Sequence, residues 1–127
     1  EIEATLAAAR GARDGRVLAA FQPHLYSRTR DFSHAFGRAL SGADRVFVTD
    51  VYAAREEPIA GVSGRLVAES VPDPVSTCYV PEVADLGAAL AAEAAPGDLV
   101  IVMGAGDVDR AGRDLLDLLE EGRSSGA

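Results

Sequence analysis

The sequence predicts a three-layer α/β domain: a mainly parallel sheet with helices on both faces. Three observations carry this. Short apolar runs alternate along the chain with amphipathic stretches of about ten residues, the pattern of successive right-handed βαβ units. The apolar runs are continuous and do not alternate with polar residues, as expected for strands covered on both faces. Gly and Pro punctuate the junctions between them. With 127 residues and 48% apolar content, the chain can bury one core and is too short for two ordinary domains.

The elements follow in order. Ile2, Leu6 and Ala9 fall on one side of a helix over 2–10, which Gly11 can stop. The run Val-Leu-Ala-Ala-Phe at 17–21 is a strand, ended by Gln22 and Pro23. Phe32, Phe36 and Leu40 recur every fourth position, with Ala35 and Ala39 beside them, so 28–40 is a helix with Gly42 just beyond. The pattern then repeats, with a strand at 46–49, a loop at 51–61 and a helix at 62–71. A turn containing Pro72 and Pro74 leads to a weaker strand at 76–80. An Ala-rich helix at 84–95 is closed by Pro96 and Gly97, and the most apolar strand lies at 99–103. The last helix spans 110–119. The polar residues 121–127 have nothing to bury and are expected to lack structure, which makes 1–120 the domain. No repeat of solenoid type and no interior linker divides it. The chain opens at Glu1, without Met and inside a helical pattern, so it is expected to be a piece of a longer protein.

Composition excludes several functions. The formal charge is −8, from 20 acidic against 12 basic residues, so a nucleic-acid backbone gains no general attraction. Cys78 is the lone cysteine; it cannot form an internal disulfide or a multi-thiolate metal site, and is expected to be a small buried apolar residue. No apolar run approaches the roughly 20 residues of a membrane span, and no signal segment opens the chain. A cytoplasmic protein with neither a membrane nor a nucleic-acid partner is expected.

In an open parallel sheet, ligands bind outside the carboxyl ends of the strands. The three loops there carry most of the reactive groups: 22–30 after the first strand, 50–58 after the second and 104–107 after the last. The first runs into a helix whose opening amides lack intrahelical partners. With Arg28 and Arg30 as guanidinium donors and His24 as a neutral-pH donor or acceptor, it is a candidate site for a carboxylate or phosphate. Asp50, with Arg55, Glu56 and Glu57 near it, could recognise an ammonium or simply be a solvated loop residue. Gly104 and Gly106 after an apolar strand suggest a tight, open turn that lets a ligand approach backbone amides. The full dinucleotide fingerprint fails, because Asp109 stands where its third glycine would be. Asp107 is expected to cap the following helix. His34 lies opposite Phe32 and Phe36 and is expected at the surface. No paired-His metal spacing, Ser-His-Asp order or Gly-x-x-x-x-Gly-Lys-Ser/Thr phosphate loop occurs.

Three strings resemble those of the Mur ligase family: Phe-Gln-Pro-His-Leu-Tyr-Ser-Arg-Thr at 21–29, Asp-Val-Tyr-Ala-Ala-Arg-Glu-Glu-Pro-Ile at 50–59 with Gly-Val-Ser at 61–63, and Met-Gly-Ala-Gly-Asp-Val at 103–108. They stand in the family's order and spacing, and the resemblance runs from Glu1 to about Leu119. It implies a carboxy-terminal, Rossmann-like domain of an ATP-dependent ligase of peptidoglycan synthesis, the branch that joins L-alanine to UDP-N-acetylmuramate. ATP, Mg2+ and the UDP-sugar would be held mainly by other domains. The family's Asp-Tyr-Gly-His-His-Pro-like motif is absent from this chain, so the fragment alone is expected to lack catalytic residues and activity. By resemblance, His24 and Arg28 hold the alanine carboxylate. Tyr26, Arg30, Asp50, Tyr52, Gly104 and Gly106 complete the expected substrate-binding set. Leu25 stands where many relatives have Arg, a contact that Arg30 could replace. Two rivals are a Mur-type ligase adding a different building block, and a stand-alone nucleotide- or anion-binding regulatory module.

Overall fold

A computed structural model describes residues 1–12, 15–104 and 106–126; the side chains of residue 12 and of 123–126 lie outside the description. The elements in chain order are α1 (Ile2–Ala12), β1 (Val17–Gln22), α2 (Tyr26–Leu40), β2 (Arg45–Val48), α3 (Arg65–Ser70), β3 (Ser76–Tyr79), α4 (Val83–Glu93), β4 (Leu99–Gly104) and α5 (Arg110–Gly126). The strands form one sheet in the order β3-β2-β1-β4, with every neighbouring pair parallel. The expected α/β architecture is therefore present.

The alternation of side chains across β1 builds both faces of the core. Val17, Ala19 and Phe21 join Val46 and Val48 of β2 against Leu6 and Ala9 of α1, Leu40 of α2 and Val67 of α3. Leu18, Ala20 and Phe47 point the other way, onto Leu86 and Leu90 of α4 and Ala111 and Leu115 of α5. Every residue of β1 is buried, as its continuous apolar run requires. Cys78 is half-buried and packs at the margin of the second cluster.

Two elements differ from their apolar patterns. The helix expected over 62–71 is only Arg65–Ser70, with Gly64 as its N-cap, and the amides at its start find acceptors outside the helix. Gly64 N–H donates to Asp50 Oδ1 at 2.9 Å, and Arg65 N–H to Ser63 Oγ at 3.2 Å. At the other end, the segment expected to lack structure continues as α5 through Gly126, beyond the last apolar position at Leu119. Residue 127 lies outside the described residues.

The chain moves outward from β1 through β2 to β3, then returns across the other face to place β4 on the opposite side of β1. The strand order thus reverses between β1 and β4, and a crevice opens at their carboxyl ends. That switch point determines where a ligand can enter.

Candidate functional site

At the switch point lies an open cleft of about 450 Å³. Its walls come from the ends of β1 and β4 (Phe21, Gln22, Met103 and Gly104), from His24 and Arg28 in the loop and first turn of α2, and from Glu1, Ile2 and Thr5 at the start of α1. The last three were not singled out from the sequence. A signal existed: a helix that runs antiparallel into the first strand must begin at that strand's carboxyl edge. Phe36 of α2, tilted against Phe21 with ring centroids 5.3 Å apart, closes the apolar side. His24 and Arg28 are exposed, four residues apart, and bring an imidazole and a guanidinium to the cleft.

The three loops meet as expected. Leu25 N–H donates to Tyr52 O at 2.9 Å and Tyr52 N–H to Pro23 O at 2.8 Å, a short parallel bridge between the first loop and the second. The His24 and Tyr52 rings stack with centroids 6.0 Å apart. The third loop touches both. A Cβ on Gly106 would lie 2.8 Å from Tyr52 Cδ1 and 3.1 Å from Gln22 Oε1, and one on Gly104 would lie 2.4 Å from the carbonyl oxygen of Gln22. Both glycines have positive φ, 131° and 71°. A side chain at either position would meet Gln22 or Tyr52, so small residues are needed here for internal packing, while both glycines stay exposed and Gly104 borders the cleft.

The start of α2 also differs from expectation. Its N-cap is Leu25, with φ 68° and no side-chain cap. Thr29 Oγ1 turns back to Leu25 O at 2.8 Å. Glu56 from the second loop meets donors of the first turn: its Oε1 accepts Ser27 N–H at 3.0 Å and its Oε2 the Ser27 hydroxyl at 2.5 Å. The Ser27 hydroxyl, then the amides of Ser27 and Tyr26 and the charge of Arg30, hold the Glu56 carboxyl below the usual range against the opposing effect of desolvation. An internal carboxylate thus sits at the helix terminus expected to bind an external anion. Glu56 is expected from the sequence only as a neighbour of Asp50; its pairing with Ser27 is not legible there, since nothing local ties it to a residue 29 positions earlier.

Of the other expected site residues, Tyr26 is half-buried and lies outside the cleft walls. Arg30 also lies outside them; its guanidinium pairs with Asp31 at 2.9 Å. Asp50 fastens its own loop, its Oδ1 accepting the amides of Val51 and Gly64, each at 2.9 Å. Desolvation first and then the charge of Asp50 push the neighbouring Tyr79 phenol upward. His34 is exposed, as expected. Asp107 receives Arg110 N–H on its main-chain oxygen at 3.1 Å, while no bond from its carboxylate is found among the described residues. No group of three or more His, Cys, Asp or Glu among the described residues is arranged to hold a metal ion. No described helix is long and apolar enough to cross a membrane.

A four-stranded parallel sheet with a cleft at its switch point, bordered by a histidine and an arginine, defines a domain of doubly wound α/β type. The model of the Mur ligase glutamate ligase domain matches residues 1–106, and the chain belongs to this family of Mur ligase carboxy-terminal domains. It is 54% identical over 124 residues to the UDP-N-acetylmuramate--L-alanine ligase of Mycolicibacterium vanbaalenii, a match covering 94% of this chain and 26% of that protein. The enzyme of the same name from Mycobacterium tuberculosis is 54% identical over 123 residues, covering 94% and 24%. That of Mycolicibacterium paratuberculosis is 52% identical over 131 residues, covering 100% and 26%. The chain therefore spans about a quarter of the length of these relatives. Among solved structures, it resembles a domain of a Haemophilus ducreyi protein assigned as a UDP-N-acetylmuramate:L-alanyl-γ-D-glutamyl-meso-diaminopimelate ligase. The TM-score is 0.66 and the identity 23%, over 93% of this chain and 80% of that one; this likeness concerns the fold.

Proposed function

We propose that this chain is the amino-acid-docking domain of a cytoplasmic, ATP-dependent ligase that joins L-alanine to UDP-N-acetylmuramate. The observation that carries the reading is the placement of His24 and Arg28 together in the cleft where the strand order reverses. With the Ser27 amide engaged by Glu56, the His24 and Arg28 side chains, both exposed at the cleft, are the groups assigned to the carboxylate of a small amino acid. An arginine fork suits a carboxylate. Holding that end fixes the α-amine, which must be neutral to attack an activated muramoyl carbonyl, form the amide bond and release phosphate and a proton. Such a step depends on positioning more than on covalent chemistry by the protein. ATP and Mg2+ supply the activation; with no phosphate loop in the sequence and no acidic cluster for a metal among the described residues, they are assigned to other parts of the longer protein, as is the UDP-sugar. The rival reading of a stand-alone nucleotide- or anion-binding module gains nothing from relatives that are ligases over this same segment.

The test is steady-state kinetics of Arg28→Lys and Arg28→Ala in the longer protein, with alanine varied. A planar fork replaced by a point charge is not conservative. Losing one charge-assisted hydrogen bond lowers kcat/KM for alanine on the order of 10- to 150-fold, chiefly through KM, and leaves the KM for ATP near its starting value. Unchanged alanine constants in both variants would remove Arg28 from the site.

A further inference from the structure

We infer that Glu56 is a positioning residue of the amino-acid pocket, clamping the second loop to the first turn of α2 so that His24 and Arg28 stand where a carboxylate can reach both. This rests on the reading that the cleft takes an amino acid.

Both oxygens of Glu56 engage Ser27, one its amide and one its hydroxyl, and Ser27 lies between the two candidate ligand-holding residues in sequence. α2 has no cap of its own: Leu25 offers no side-chain acceptor, so the amide of Ser27 depends on a group brought from elsewhere. The backbone on both sides of this clamp is held in costly conformations. Leu25 has φ 68°, and Ala54 and Arg55, immediately before Glu56, have φ 48° and 76°. Non-glycine residues stay in this region only where their surroundings over-determine them. Here the constraints are the Tyr52 main-chain bonds to Pro23 and Leu25 and the Glu56 carboxylate. Removing the carboxylate leaves one of the two ties and frees Leu25 to relax toward ordinary φ, carrying His24 and Arg28 out of register.

The test uses the longer protein and four variants: Glu56→Ala, Glu56→Gln, Ser27→Ala and Arg28→Ala. Glu56→Ala is expected to raise the KM for alanine about tenfold or more while the KM for ATP and the melting temperature of the remaining domains hold. Glu56→Gln, which keeps an acceptor for the Ser27 amide, recovers most of the loss. Ser27→Ala, which removes only the hydroxyl contact, shifts the alanine KM less and in the same direction, and serves if Glu56→Ala does not fold. Hydrogen exchange of the peptide covering 22–30 is expected to quicken in Glu56→Ala and to stay near wild type in Glu56→Gln. The inference is overturned if Arg28→Ala raises the alanine KM and neither Glu56→Ala nor Ser27→Ala does, or if Glu56→Ala raises the alanine and ATP constants equally, as general loosening would. If Arg28→Ala has no effect on alanine, the underlying reading of the cleft fails first.

Discussion

At the scale of single residues, the site is organised by groups that hold one another. His24 stacks on Tyr52, Tyr52 lies over Gly106, and Gly106 in turn faces Gln22. A methyl group at position 106 therefore meets an aromatic carbon at 2.8 Å in a backbone conformation (φ 71°) that side chains rarely adopt. Gly106→Ala is expected to destabilise the domain by about 1–3 kcal/mol, as overpacking does. It should also displace the Tyr52 ring and with it His24. Thermal melting checks the first effect, and the alanine KM of the longer protein the second; a variant with wild-type melting would show that Tyr52 can move aside at no cost. His24 and Arg28 could be singled out from sequence because their chemistry, a cation beside a helix start, is local. Glu56 could not, because a glutamate in a run of charged residues looks like solvated surface until the fold carries it to Ser27.

At the scale of elements, the amino ends of the strands are joined by charge. Arg16, just before β1, donates to both oxygens of Asp98, just before β4, at 3.2 and 2.7 Å, and Asp98 Oδ2 also accepts Ala95 N–H at 2.8 Å. Beside it, Asp44 Oδ2 accepts Val17 N–H at 2.7 Å, and its other oxygen pairs with Arg10 at 2.9 Å. The Arg16 guanidinium holds Asp98 below the ordinary carboxylate range, and Arg10 does the same for Asp44. A carboxyl whose folded pKa is depressed contributes stability at pH above its unfolded value, near 4, and loses it as pH falls through the folded value. Asp98→Asn is thus expected to lower the melting temperature at pH 7, with the gap to wild type closing as the pH falls below about 4. A gap that stays constant from pH 7 to pH 2 would mean that the charge of Asp98 contributes nothing. At the same scale, the apolar pattern of α3 reaches back to Val62, yet the helix starts at Arg65, and the amide of its N-cap Gly64 is held by Asp50.

At the scale of the whole molecule, two apolar clusters cover the two faces of one sheet, an arrangement that needs no other domain to bury it. The 127-residue chain alone is expected to melt in a single cooperative transition. Given ATP, UDP-N-acetylmuramate and alanine, it should release no phosphate, because no phosphate loop occurs in its sequence. Phosphate release above a buffer blank would contradict that division of labour.

Hydrophobic periodicity alone determined the order of strands and helices, the parallel sheet and the edge at which the reactive loops gather, because a continuous apolar run or a four-residue repeat is a property of neighbouring residues. The family strings pointed to His24 and Arg28 for the same reason: their chemistry and spacing lie within one stretch of chain. Only the tertiary structure decided which carboxylate occupies the start of α2, that Asp50 fastens its own loop, that Gly104 and Gly106 make room for Gln22 and Tyr52, and that α1 walls the cleft. Each of these is a pairing between residues far apart in sequence, such as Ser27 with Glu56 or Gly106 with Tyr52. Their energies depend on ångström-scale approach once the sheet has formed, and that distance is written in the packing of elements and in no single stretch of sequence.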